Sequence, residues 1–321
     1  MRRSEFIAGI AGSAAAWPLA AEAQQPGVPV IGFLHFASDS ALGLAAFRQG
    51  LSDLGFVEGR NVLIEYRFAN GQTEQLPVMV AELVRRRVSV LVAGPRADFF
   101  AKNATATIPI VFLSGNDPVS LGLVASLNRP GGNATGMMTL GGELEQKRFG
   151  LLHQLIPQVD TIWILIDQNR VVPVEQTYES AAREVGLAVR LVRVADQRDF
   201  EASFAQLARE GARALAVSSS SYFSAHRAQL VSLSARYAIP TIYEIREYVE
   251  VGGLMSYGPN TAEAWRAVGV YTGRVLKGEK PADLPVQRPT KFDFIINLKT
   301  AKALGLTIPS GVLAIAEEVI E

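Results

Sequence analysis

Cysteine is absent from all 321 residues, which excludes disulfide scaffolds, thiolate metal sites and cysteine nucleophiles together. Histidine is scarce as well. His35, His153 and His226 stand far apart with no H-E-x-x-H or similar spacing, so a zinc site has little to draw on. There is no surplus of either charge, because 31 Lys+Arg balance 31 Asp+Glu. Without a basic excess, a large phosphate-neutralising surface for nucleic acid is excluded and attraction to an anionic membrane is unsupported. Beyond the N-terminal segment no apolar run reaches the roughly 18 residues that a membrane-spanning helix needs, so the mature chain is expected not to span a membrane. Catalytic fingerprints fail in turn. No G-x-G-x-x-G follows the first strand, no G-x-x-x-x-G-K-[ST] or G-x-S-x-G occurs, and the Gly-rich run at 131–136 is mis-spaced. No cofactor is expected.

What is present is an ordinary globular composition, 49% hydrophobic and 19% charged, in a chain long enough for about two domains. The N-terminus reads as an export signal: Arg2 and Arg3, an uncharged Gly/Ala-rich stretch at 6–21, and Ala21-Glu22-Ala23 as a small-x-small cleavage site. Removal of residues 1–23 would deliver the protein to the periplasm, an oxidising compartment that the lack of cysteine suits. The paired arginines point to the twin-arginine route, although Phe6 stands one position later than that motif places its aromatic.

From Val28 onward, β-branched apolar runs alternate with amphipathic segments of helical period. Strands are expected at 28–34, 61–68, 88–93 and 108–113, and again at 161–166, 188–194, 214–217, 239–243 and 253–257. Most are apolar on both faces, as parallel strands covered by helices are. Phe47 and Leu51 recur at helical spacing up to Gly55, and Trp265, Val268 and Leu276 do so up to Gly278. Asn128-Arg129-Pro130-Gly131-Gly132-Asn133 and a later Gly-Gly break the alternation at 128–142, where a second βα series begins. A long helix at 262–277, a Pro-rich stretch, a strand at 292–298 and a short helix at 300–304 follow. The fold class is α/β, two doubly wound parallel-sheet lobes facing each other.

In such sheets ligands lie beyond the carboxyl ends of the strands. The candidates in the first half are Phe36, Ser38, Arg96, Ser114 and Asp117, and in the second Asn169, Ser219, Ser220, Tyr222, Phe223, Tyr243, Glu244 and Arg246. Each has a plainer reading. Asp117-Pro118 can open a helix, the hydroxyl run at 218–221 can cap one, the aromatics can be core, and either arginine can be solvated. In the functional reading, Arg96 forks onto a carboxylate with Ser114, Ser219 and Ser220 as polar partners and Tyr222, Phe223 and Tyr243 as a wall.

Phe47-Arg48-Gln49-Gly50-Leu51, Gly55-Phe56-Val57-Glu58-Gly59-Arg60-Asn61-Val62, the run at 104–112, Asp117-Pro118-Val119, the run at 127–136 and Pro289-Thr290-Lys291-Phe292 together resemble the substrate-binding components of ABC-type uptake systems, in the family that includes tryptophan and tyrosine binders. The resemblance implies a periplasmic-binding-protein-like fold whose lobes are joined by three crossovers, here 133–143, 257–261 and 282–286, and close on ligand. It divides the chain into an export signal at 1–23, lobe I at 24–139 plus 258–283, and lobe II at 140–257 plus 284–321. It further implies a monomer without enzymatic activity that works with an ABC permease and ATPase. Ala93-Gly94-Pro95-Arg96 departs from the Gly-Thr-Pro-Ala common in that family, and Asp167-Gln168-Asn169-Arg170 from an Asn-Pro-like turn. The expected ligand is therefore a small carboxylate-bearing molecule, aromatic or amino-acid-like. An extracytoplasmic sensor feeding a signalling receptor and a two-domain α/β enzyme are the alternatives.

Overall fold

A computed structural model describes residues 27–37, 43–139, 142–169 and 174–321, so the expected export signal and Ser38 lie outside the described residues. The first sheet holds β1 (Val30–His35), β2 (Leu63–Phe68), β3 (Val90–Ala93), β4 (Ile110–Ser114) and β5 (Ala134–Met138), all parallel, in the order β2-β1-β3-β4-β5. The second holds β6 (Thr161–Asp167), β7 (Ala188–Val194), β8 (Leu215–Val217), β9 (Thr241–Tyr243), β10 (Met255–Pro259), β11 (Phe292–Asn297) and β12 (Glu318–Ile320) in the order β12-β11-β10-β9-β8-β6-β7. Its strands are parallel from β7 to β10, whereas β11 runs antiparallel to β10, a departure from the all-parallel expectation at one edge. β5 and β12 were not foreseen as strands; β5 lies within the Gly-rich stretch that reads as a boundary.

The helices are α1 (Leu44–Asp53), α2 (Leu76–Arg85), α3 (Ala97–Ala104), α4 (Gly142–Leu155), α5 (Glu175–Glu184), α6 (Phe200–Arg209), α7 (Ser221–Ala225), α8 (Arg227–Arg236), α9 (Arg246–Glu250), α10 (Thr261–Leu276), α11 (Leu298–Ala303) and α12 (Ser310–Leu313). Every residue of β3 and β4 is buried because helices cover both faces of the sheet. Side chains alternate between two cores: Val90 and Val92 pack with Phe33, Phe47, Trp265 and Val268 under α1 and α10, while Leu91 and Ala93 pack with Leu76, Val80 and Leu83 under α2. The second sheet repeats the pattern, Ile162, Ile164 and Ile166 facing α4 and α5 while Trp163 and Leu165 face α6 and α8. Each fully buried side chain of this kind contributes roughly 1.5–3 kcal/mol.

Helix α10 decides the connectivity. It follows β10 of the second sheet yet packs on the first, and β11 then returns to the second. The chain thus passes between sheets three times: after β5, at Pro259–Thr261 between β10 and α10, and in the stretch before β11. Asn260 bolts the last two together. Its Oδ1 accepts from the Glu263 N–H at 2.8 Å to cap α10, and its Nδ2 donates to Asp293 Oδ2 at 2.9 Å. The third passage is laced to the edge of β5: Thr135 Oγ1 donates to Leu284 O at 2.6 Å, Gln287 N to Gly136 O at 3.0 Å, and Met138 N to Gln287 O at 2.9 Å.

Helices α1 and α10 cross with backbones in contact at two glycines. A Cβ on Gly50 would lie 2.0 Å from Arg266 O, and one on Gly269 would lie 2.2 Å from Phe47 O. Gly50→Ala should therefore force the helices apart and lower stability by about 1–3 kcal/mol, as overpacking does. Gly311→Ala, with nothing within 4 Å of the added carbon, is the control. Thermal denaturation followed by circular dichroism should show a fall of several degrees for the first and none for the second.

Candidate functional site

The loops at the carboxyl ends of both sheets face each other across one cavity of about 910 Å³. This matches the size of small-molecule sites and the expected position. His35, Arg96, Asp98 and Asn116 line it from the first lobe, with Asn70 to Thr73 from the loop after β2. Asp167, Asn169, Ser219, Ser220, Tyr222 and Glu244 line it from the second. Trp265 reaches it from the first turn of α10, its ring 5.5 Å from that of His35.

Arg96 is at the rim, but it is not a free cation. It adopts φ +72° in the left-handed region just before α3 and is largely buried. Its Nη2 donates to Asp167 Oδ2 at 3.0 Å and to Asn169 O at 3.1 Å, its Nη1 donates to Thr73 Oγ1 at 3.0 Å, and its Cζ stands 5.0 Å above the Phe36 ring. The Asp167 carboxylate, 2% exposed at the end of β6, also accepts from Ser220 Oγ at 2.7 Å and from Asn169 N at 2.9 Å. Ser220 caps α7 as well, accepting from Tyr222 N at 3.1 Å. Asn169 and Glu244 line the cavity while tied to Ala195 O and to the Ser224 hydroxyl, respectively.

Other candidates fall elsewhere. Phe36 is fully buried beneath Arg96, and Phe223 is fully buried in the core under β8. Tyr243 is no wall: it stacks on Tyr248 with centroids 4.5 Å apart and donates its hydroxyl to Ser234, all inside lobe II. Ser114 has no exposed surface, and its Oγ accepts from Asn116 N at 3.3 Å. Asp117 caps a turn rather than a helix, accepting from Val119 N at 3.0 Å and Ser120 Oγ at 2.7 Å. Arg246 lies outside the cavity, bonded to Glu250 and Glu318. Local hydrogen bonds hold Ser114, Asp117 and Arg246 in these places, β-strand alternation turns Tyr243 inward, and Phe36 and Phe223 are taken up by packing.

Several lining groups were missed. Arg148 on α4 lies in the cavity wall, 2% exposed, donating to Tyr257 O at 2.7 Å and to Glu145 Oε1 at 2.5 Å. The signal was Glu145 and Arg148 at i,i+3 on a helix. Asp98 is 1% exposed; Oδ1 accepts from Phe99 N at 2.8 Å, and Oδ2 has no partner of good geometry among the described residues. Across the cavity, Arg227 Nη1 donates to Ser224 O at 2.9 Å while its buried Nε has no partner among the described residues. Burial pushes His35 down to about 3, so it is a neutral ring that accepts from Ala37 N through Nδ1 at 2.9 Å.

Burial also pushes Asp98 up to about 6 from its ordinary 3.8. Between those values the native state holds more protons than the unfolded chain, so stability contributed by the neutral acid is lost as pH rises through the window. Asp98→Asn keeps the acceptor for Phe99 and removes the ionisation. The melting temperature of the variant minus that of wild type should therefore climb between about pH 4 and 6 and level off above. The cost of protonating His35 on acidification is common to both proteins and cancels in the difference.

The family described as ABC transporter substrate binding protein matches residues 28–320. A solved structure of an ABC domain in complex with L-Trp from Streptococcus pneumonia is 28% identical, with a TM-score of 0.84 over 91% of this chain and 99% of that one. A conserved domain protein from Vibrio cholerae O1 biovar El Tor is 25% identical, with the same TM-score and coverage. A tyrosine-binding protein of Clostridioides difficile strain R20291 is 24% identical over 265 residues, 81% of this chain and 75% of that protein. With two facing α/β lobes, a shared cavity between them and a family match over nearly the whole described chain, the protein belongs to the ABC transporter substrate-binding proteins.

Proposed function

We propose that the chain is the periplasmic solute-binding subunit of an ABC importer, and that it closes its lobes around an amino-acid-like ligand and presents it to the permease and its ATPase. The observation that carries this reading is the cavity of about 910 Å³ walled by strand-end loops of both lobes, which three chain passages join. Relatives named for L-Trp and tyrosine support the ligand class. The charges support it too. Arg96 is already committed to Asp167 and Arg148 to Glu145, so the ligand carboxylate instead meets the side of the cavity carrying Arg227, whose buried Nε has no partner among the described residues, and the ammonium meets Asp98 opposite. The neutral His35 ring, Trp265 and Tyr222 supply aromatic surface for the side chain. The protein acts as a monomer after loss of residues 1–23, and the ligand leaves chemically unchanged.

Two measurements test this. Calorimetric titration should give tight binding of L-tryptophan or L-tyrosine and at least tenfold weaker binding of indole-3-propionate, which keeps the ring and carboxylate but lacks the amine; equal affinities would remove the ammonium from the reading. Small-angle scattering should show the radius of gyration falling at saturation, and an unchanged radius would rule out hinge closure.

A further inference from the structure

We infer that Arg96 and Asp167 form a latch across the cleft that sets the balance between closed and open lobes, which makes Arg96 a positioning residue and not a ligand anchor. The inference rests on the closure reading and adds to it a specific closing contact. No other ion pair among the described residues spans the cleft; Lys291–Glu263, the nearest analogue, joins α10 to the last passage. The latch has a socket and a plug of different character. The socket is rigid: Asp167 ends a buried strand, and two of its three hydrogen bonds, from Ser220 Oγ and Asn169 N, come from its own lobe. Those two persist when the lobes part, so the carboxylate stays oriented, ready to accept. The plug comes from the other lobe and is held under strain, with a non-glycine residue at φ +72°. Of its three guanidinium hydrogen bonds, two reach lobe II and one reaches Thr73 on its own lobe.

The surroundings extend the same contact. Phe36, under the guanidinium, faces Tyr222 of the other lobe with ring centroids 6.5 Å apart. A Cβ on Gly71 in the loop after β2 would come within 3.3 Å of the His226 ring, so the two rims meet there as well. In the sheet orders the passages leave from β5 and β10, two and three strands away from β3 and β6, so an opening swing about them separates the loops after β3 and β6 first. A 3.0 Å ion pair cannot survive that separation. Since apparent affinity scales with the fraction of protein in the binding-competent state, losing the latch weakens every ligand by the same factor, whatever its charge. A charge-assisted bond of this burial converts to roughly ten- to a hundredfold.

The absence of cysteine allows a direct test. Val78→Cys on α2 and Ala202→Cys on α6, both exposed and on different lobes, carry spin labels whose separation is read by pulsed electron paramagnetic resonance. The label pair is measured in ligand-free protein with wild-type Arg96 and Asp167, with Arg96→Ala, with Asp167→Asn, and with both. Each single change should shift the distribution to longer distances, and the double change should add nothing further, because the two residues act as one contact. Arg96→Lys, which keeps the charge, should restore part of the short-distance population and guards against a folding defect in the alanine variant. Distributions that do not change on Arg96→Ala or Asp167→Asn, or shifts that add, overturn the latch. Contraction of the wild type on adding ligand, followed by scattering, tests closure separately, so closure can stand while the latch falls.

Discussion

The contact of α1 with α10 at Gly50 and Gly269 is the constraint from which the architecture follows. Because no side chain separates the two backbones there, α10 is held on the first sheet even though its neighbours in sequence, β10 and β11, belong to the second. The chain must cross between lobes before and after it. Those two crossings, with the one after β5, hold the lobes side by side with their strand ends turned toward each other, and the cavity is the space left between. Trp265 has two roles in this arrangement, filling the core under β1 and β3 and lining the cavity.

Much of the fold was legible in the sequence because parallel strands buried on both faces leave an unbroken apolar signature. The runs around Val90, Ile110 and Ile162 are of this kind, and each proved to be a strand. β5 was obscured because its residues, Ala134-Thr135-Gly136-Met137-Met138, hold a single β-branched side chain and sit beside glycines that read as a linker. β12 is short and largely exposed, held as a strand only by pairing with β11, a tertiary effect that local composition does not encode. The reversed direction of β11 likewise depends on where α10 packs.

The position of the cavity was legible in the sequence, and the pairing of its charges was not. Strand-end position correctly brought Arg96, Asn169, Ser219, Ser220, Tyr222 and Glu244 to the cavity. It could not tell that Asp167, two residues from Asn169, would neutralise Arg96 from the opposite lobe, because that pairing is a property of two loops meeting. Tyr243 and Phe223 were drawn toward the cleft by proximity in sequence, but the alternation of β9 and the inner face of α7 turned both into the core. Arg148 and Trp265 come from helices, outside the loops that the strand-end rule surveys.

The lacing of the third passage onto β5 limits where the molecule can bend. Thr135, Gly136 and Met138 hold that passage as far as Gln287 and so fasten it to lobe I, while Asp293 is already part of β11. Between these points lie residues 288–291, where Lys291 pairs with Glu263 of α10, and Asn260 is hydrogen-bonded to both Lys291 O and Asp293. A hinge confined to so few residues, with its neighbouring strand clipped to it, would have little freedom to twist. In the proposed closure the lobes would therefore swing about a nearly fixed axis, bringing the same rim loops into the same register each time.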